Sequence, residues 1–277
     1  MATAFKNRPV ARVVPLSDAV AELVHDGDEL AIEGFSHLVP FEAAHELIRQ
    51  GRKDLEVIRM VPDILVDQLI GMGCVRRLVF SWAGNPSVGS LHRFRDAVER
   101  SWPRPLELEE HTHAGLANRY VAGASGLPFG VLRGYMGTDL VQHTRNVEFV
   151  TCPFTSQRLA VVAALHPRVS IVHAQRADGE GNVQLWGVVG MQKEAVLAAE
   201  RSLVTVEEVV DKLEPVPHSV VLPGWAVTFV ALAPGGAQPT YADGYSVRDN
   251  EFFARWDEVS RDRATFRDWM QVNVVER

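Results

Sequence analysis

Cysteine is nearly missing from this chain, with only Cys74 and Cys152 among 277 residues. That leaves no disulfide framework and no cysteine-built metal site, and it fits a reducing compartment. Long apolar runs are missing as well. "LAVVAAL" (residues 159–165) is typical of the longest, far short of the roughly 20 residues that cross a bilayer as a helix. The opening "MATAFKNRPVARVV" has no apolar signal core and no cleavage-like site, so a cytoplasmic location is expected. Positive charge is in the minority, 28 Lys and Arg against 35 Asp and Glu, for a net charge of −7. A surface of that sign does not bind nucleic acid non-specifically, although a local basic spot could hold a phosphorylated ligand.

Several signatures are absent too. No G-x-G-x-x-G follows an expected strand and no G-x-x-x-x-G-K-[ST] occurs, which sets aside dinucleotide and P-loop chemistry. "GMGC" at Gly71 reads as a helix end. No G-x-S-x-G is present, so Ser81 and Ser90 have no nucleophile context. No repeat, low-complexity tract or linker interrupts the chain. What remains, 47% hydrophobic and 23% charged, is an ordinary globular composition long enough for a substantial core. One domain over residues 1–277 is expected.

The first two-thirds alternates β-branched runs with amphipathic segments. "DELAIEGF", "LEVIRM", "RRLVFSW" and "LELEE" read as strands. Between them, "VPFEAAHELIRQG", "PDILVDQLIGMG" and residues 91–100 read as helices, and a fourth helix is expected from about Thr112 to Ala124. Short connections between such elements are the βαβ signature of an open, mostly parallel sheet covered by helices. After Asp139 the texture changes. "VEFVTCPF", "RVSIVHAQ", "NVQLWG", "SLVTVEEVV" and "WAVTFVALA" look like strands, Met191 to Glu200 a helix, and residues 249–274 an amphipathic helix in two pieces.

In such a sheet ligands lie beyond the carboxyl ends of the strands. The candidate segments are therefore "EGFSHLVP", "VPD", "SWAGNPSVGS" and "EEHTHAGLANR". In the first, Gly34 ends a strand and Pro40 starts a helix, so Gly34, Phe35, Ser36 and His37 can present backbone N–H groups to an anion or oxyanion. Ser81, Gly84 and Asn85 occupy the equivalent place after the third strand. "ELEEHTH" (residues 107–113) packs three carboxylates and two histidines into seven residues. Three readings of it stand open. His111 and His113 would share a face only in a strand, and no paired zincin pattern supports a metal. Thr112 or Glu110 could cap the following helix. A pocket wall is the third reading: Glu109, Glu110 and His111 would orient substrate or move protons, Arg119 would pair with a carboxylate, and Asn118 would hydrogen-bond a loop.

Taken together, "GDELAIEGFSHLVPFEAAHELIRQGRKDL", "SWAGNPSVGS", "HAGLANRYVAGASGLPFGVLRGYMGTDL", "HAQRADGEGNVQLWG" and "APGGAQPT" resemble, in that order, the α subunit of family I coenzyme A transferases, the glutaconate transferase branch especially. The resemblance implies an open α/β fold of the kind shared with sugar-phosphate isomerases, and a β subunit of similar architecture. It also implies an α2β2 assembly with its active site at the α–β interface. Coenzyme A thioester would be a substrate, with a small carboxylic acid as the other, and no cofactor or metal would be permanently bound. In that family a β-subunit glutamate attacks the acyl-CoA and becomes a glutamyl-CoA thioester. The corresponding strand end here, "RMVPD" (residues 59–63), offers no glutamate. Relatives with this architecture also include ring-opening hydrolases and decarboxylases of acyl-CoA, in the first of which an α-subunit glutamate near the fourth strand end takes part. Glu109 and Glu110 are the candidates for that role here, as supporting or alternative acid–base groups.

Overall fold

The runs expected as strands in the first half of the chain lie side by side. A computed structural model describes residues 10–86 and 89–277. Residues 1–9, read above for a leader, and Ser87 and Val88 of "SWAGNPSVGS" lie outside the described residues. In chain order the elements are β1 (Arg12–Val13), α1 (Leu16–Leu23), β2 (Glu29–Glu33), α2 (Phe41–Arg49), β3 (Leu55–Arg59), α3 (Ile64–Gly71), β4 (Val75–Phe80), α4 (His92–Arg100), β5 (Glu107–Glu110) and α5 (His113–Ala124). Then follow β6 (Phe129–Leu132), α6 (Leu140–His143), β7 (Val147–Thr151), β8 (Arg158–Ala163), β9 (Val169–Asp178), β10 (Val183–Leu185) and α7 (Gln192–Ala198). The chain ends with β11 (Arg201–Val210), β12 (Val220–Leu222), β13 (Phe229–Leu232), α8 (Asn250–Arg261) and α9 (Arg263–Met270).

Strands β1-β13-β11-β9-β2-β3-β4-β5 are neighbours in that order, and every adjacent pair is parallel. The fold is thus α/β with an open, mostly parallel sheet. Strand β10 runs antiparallel to β9 and to β12 at one side. Period-two alternation sends Leu30, Ile32, Val57, Leu78 and Phe80 to one face, under α1 to α4, α8 and α9. Ala31, Ile58 and Val79 go to the other face, against Leu116 and Tyr120 of α5 and Ala195 of α7. Burial on both faces is why these strands are nearly continuous apolar runs.

The helix starts follow local chemistry. Asp63 caps α3 by accepting the Leu65 amide at 3.0 Å, and Thr112 caps α5 by accepting the Gly115 amide at 2.9 Å. The C-terminal segment divides at Asp262, whose carboxylate accepts the amides of Ala264 and Thr265 and starts α9. The second half departs from expectation. The run "WAVTFVALA" opens as a 3-10 turn over Gly224–Ala226 after Pro223, and ladder pairing begins only at Phe229. Helix α1 and strands β6 and β8 add to the elements expected from sequence, and the expected β7 joins these two strands in an antiparallel sheet ordered β6-β8-β7. Among the described residues no helix is long and apolar enough to cross a membrane.

Candidate active site

From β2 the chain builds the sheet outward through β3, β4 and β5, and from β9 it builds the other way through β11 and β13. The strand order therefore reverses between β2 and β9, and the crevice beyond their carboxyl ends is the place where such folds bind ligands. The turn leaving β2, residues 34–38, lies at this point.

That turn is tight and strained. A Cβ on Gly34 would lie 2.5 Å from the Leu38 carbonyl oxygen, so no other residue fits without a shift. Ser36 and Leu38 both adopt left-handed backbone, with φ of 55° and 51°, a conformation costing about 1–3 kcal/mol at each non-glycine residue. Phe35 is 44% exposed and Ser36 half-buried. Among the described residues no acceptor meets the amide N–H of Ser36 or His37. The imidazole of His37 is fully buried. Its Nδ1 donates to the Val188 carbonyl at 2.9 Å and its Nε2 accepts the Asp243 amide at 3.0 Å. Burial lowers the His37 pKa, which favours the neutral ring that this pair of bonds requires.

Beneath the turn lies a buried cation that the sequence alone does not single out. Arg59, at the end of β3, donates to the carbonyls of Ile32 and Gly34, each at 3.0 Å, and to Val61 at 3.1 Å. It also pairs with Asp63 at 2.9 Å. Its neighbour across the sheet, Glu33, accepts the Tyr120 hydroxyl at 2.8 Å and the Met60 amide at 2.9 Å. Burial raises the Glu33 carboxyl to about 7 in spite of Arg59 and these donors. The next turn is tied in sequence: Ser81 Oγ donates to the Met60 carbonyl at 2.6 Å, and the Gly84 amide donates to Pro62 at 3.1 Å. Asn85 instead donates to the Phe253 carbonyl of α8 at 3.0 Å. The structure thus brings residues 34–37 together with Ser81 and Gly84 along one rim.

The candidates on β5 and α5 form a separate cluster. Glu109, 2% exposed, faces α5 and the guanidinium groups of Arg77 and Arg119, the latter at 2.8 Å. It also accepts Asn146 at 3.0 Å and His111 Nε2 at 2.7 Å. The carboxylate selects the Nε2–H tautomer, and Tyr135 donates to His111 Nδ1 at 2.8 Å. Burial alone would raise the Glu109 carboxyl, but the hydrogen bonds from His111 and Asn146 and the charge of Arg119 hold it at about 2. Arg119 is buried and also donates to the Ala163 carbonyl at 3.0 Å. Arg77, Glu109, Arg119 and Asn146 line a polar cavity of about 310 Å³ with Glu29 and Glu56, toward the amino ends of the strands. Glu110 points the other way and is exposed, and Asn118 donates to the Ala114 carbonyl within α5 at 2.8 Å. His113 is exposed, and among the described residues no group of three or more metal-ligating side chains converges.

The profile of the family described as "Coenzyme A transferase" matches residues 13–233. The chain is 57% identical over 261 residues to the α subunit of 3-oxoadipate CoA-transferase from Pseudomonas knackmussii, covering 94% of this chain and 93% of that one. The α subunit of glutaconate CoA-transferase from Acidaminococcus fermentans is 29% identical over 277 residues, covering 93% of this chain and 86% of the other. The solved structure of glutaconate coenzyme A-transferase from Acidaminococcus fermentans superposes with a TM-score of 0.87 at 28% identity, over 96% of this chain and 90% of that chain. A cysteine-to-serine variant of the decarboxylase AibA/AibB superposes with a TM-score of 0.82 at 31% identity, over 95% and 99% respectively.

Proposed function

The chain belongs to the coenzyme A transferase family, and from that premise we propose that it is the α subunit of a two-subunit enzyme that moves CoA from a CoA thioester to 3-oxoadipate. The observation that carries the substrate is the 57% identity to the α subunit of a 3-oxoadipate CoA-transferase along nearly the whole of both chains. The proposed assembly is α2β2 and cytoplasmic, with all 277 residues acting as one domain and no permanently bound cofactor.

The geometry supports a division of labour. Transfer needs a carboxylate nucleophile that reaches a thioester carbonyl. Glu33 and Asp63, behind the turn, are buried at 2% and 3% exposure and already hydrogen-bonded, while Asp243, whose amide meets His37, is exposed. The resemblance to family I coenzyme A transferases assigns the nucleophile to a glutamate of the β subunit. Its carboxylate adds to the thioester carbonyl and expels CoA thiolate, leaving a mixed anhydride. The thiolate then attacks the glutamyl carbonyl, releases the donor acid and leaves a glutamyl-CoA thioester. The acceptor acid reverses both steps. Each addition places negative charge on a carbonyl oxygen, and the amide N–H groups of Ser36 and His37 supply donors for it. Ser81 and Gly84 continue the same wall. Glu109, His111 and Arg119 hold α5 against β5 away from that rim, and Glu110 is exposed at the edge strand.

Co-expression with the β subunit, followed by assay with succinyl-CoA and 3-oxoadipate, tests this reading. Formation of 3-oxoadipyl-CoA and free succinate in equal amounts is the expected result. A complex that prefers glutaconate as acceptor would overturn the substrate. One that releases carbon dioxide from an acyl-CoA without transfer would overturn the reaction.

A further inference from the structure

Glu33 stands directly behind the strained turn and has none of the roles given above. It is the last residue of β2, and its main chain and side chain are both held. Arg59, with no exposed surface, binds the carbonyls on either side of it, Ile32 and Gly34, each at 3.0 Å. The side chain is fixed at Oε1 by Tyr120 from α5, at 2.8 Å, and by the Met60 amide that follows β3, at 2.9 Å. Tyr120 is itself fully buried. Strand β3, the residue after it and helix α5 therefore clamp the single residue from which the chain enters a turn with two left-handed residues, Ser36 and Leu38.

We propose that Glu33 and Tyr120, acting with Arg59, are positioning residues for CoA transfer: they set the Ser36 and His37 amides where the developing oxyanion needs them, and Glu33 adjusts the charge behind that site. The inference rests on the reading of residues 34–38 as the oxyanion-binding turn. A misplacement of about 1 Å at a reacting centre costs on the order of 100-fold in rate, so a clamp of this kind acts on turnover more than on binding.

The charge balance gives the clamp a distinctive readout. Around the Glu33 carboxyl, β3 contributes Arg59 and α5 contributes Tyr120, while β9 contributes uncharged Val172 in register and α7 faces the sheet with Ala195. Asp63 shares the Arg59 guanidinium. With Glu33 protonated, Arg59 and Asp63 balance each other. With Glu33 ionised, a second carboxylate stands behind the turn and opposes negative charge building on the substrate oxygen. Burial places that change near pH 7, so turnover should fall as pH rises through neutrality. Because both hydrogen bonds converge on Oε1, protonation at Oε2 leaves the clamp in place.

The test uses the active complex with its partner, measuring kcat and KM from mildly acid to alkaline pH. Wild type should lose kcat above neutrality, with KM nearly constant. Glu33→Gln keeps the Oε1 acceptor but carries no charge, so it should show no inflection there and should exceed wild type at alkaline pH. Tyr120→Phe removes a donor that stabilises the ionised carboxylate, so it should lower kcat about 10-fold and move the inflection to higher pH. If Glu33→Gln does not assemble, Tyr120→Phe decides alone. Variants that keep the wild-type profile in a complex active toward 3-oxoadipate would overturn this inference and leave the functional reading standing. A wild-type complex without CoA transfer would overturn the functional reading itself.

Discussion

Glu109 and Glu110 are adjacent in sequence and opposite in environment. Strand alternation turns Glu109 into the polar cluster under α5 and leaves Glu110 exposed at the edge strand. Sequence alone could not separate them, because which of two neighbours faces inward depends on the face that α5 covers. Glu109→Gln would leave Arg77 and Arg119 short of a buried counter-charge, a loss of about 3 kcal/mol, whereas Glu110→Gln should change stability by less than about 0.5 kcal/mol. Chemical denaturation of the two variants checks this, and equal stabilities would contradict it. The same carboxylate sets an acid limit. Its folded pKa is depressed to about 2 from a reference of 4.5, so its contribution is full above the reference value and lost as pH falls toward 2. Glu29 works in the opposite direction. Burial and the nearby Glu56 raise its carboxyl to about 7 from 4.5, so the fold holds a proton that the unfolded chain has released, and stability drains as pH rises across that interval. Glu29→Gln should flatten that part of a stability–pH profile. An unchanged slope would show that the group does not titrate there.

At the scale of elements, the proposed mechanism depends most on the turn leaving β2. Gly34→Ala places a methyl group 2.5 Å from the Leu38 carbonyl oxygen and 2.8 Å from Val39 Cα, and backbone atoms must move to admit it. The expected outcome in the assembled enzyme is a fall in kcat of about 100-fold with secondary structure unchanged by circular dichroism. Wild-type turnover in this variant would remove the turn from the mechanism. The turn is legible in the sequence as a glycine at the end of an apolar run followed by proline before an amphipathic segment. The four strand–helix units from β2 to α5 are legible for a related reason, since each strand is buried on both faces and each helix repeats at helical spacing. Strand β7 is legible as an apolar run, but the sheet it forms with β6 and β8 is not, because β6 pairs with β8 across about 30 residues by contacts that no local pattern encodes. Arg59 is hidden in the same way. A lone arginine at a strand end looks solvated until the fold places the carbonyls of Ile32 and Gly34 around it.

At the scale of the whole molecule, the rim beyond the strands offers amide donors and an exposed Phe35, and Trp82 stands 45% exposed in the neighbouring turn. Glu33 and Asp63, behind the rim, are withdrawn into the interior. The family resemblance implies a second chain that brings the nucleophile. The central claim is therefore that covalent chemistry occurs on the partner. The direct measurement is to expose the purified complex to succinyl-CoA without acceptor acid, reduce with borohydride, separate the two chains and locate the modified residue by peptide mass spectrometry. The expected result is one reduced glutamate in the β subunit, none in this chain, and no transfer by this chain alone. A thioester-derived modification on Glu33, Glu109, Glu110 or any other residue of this chain, or full turnover without the partner, would contradict it.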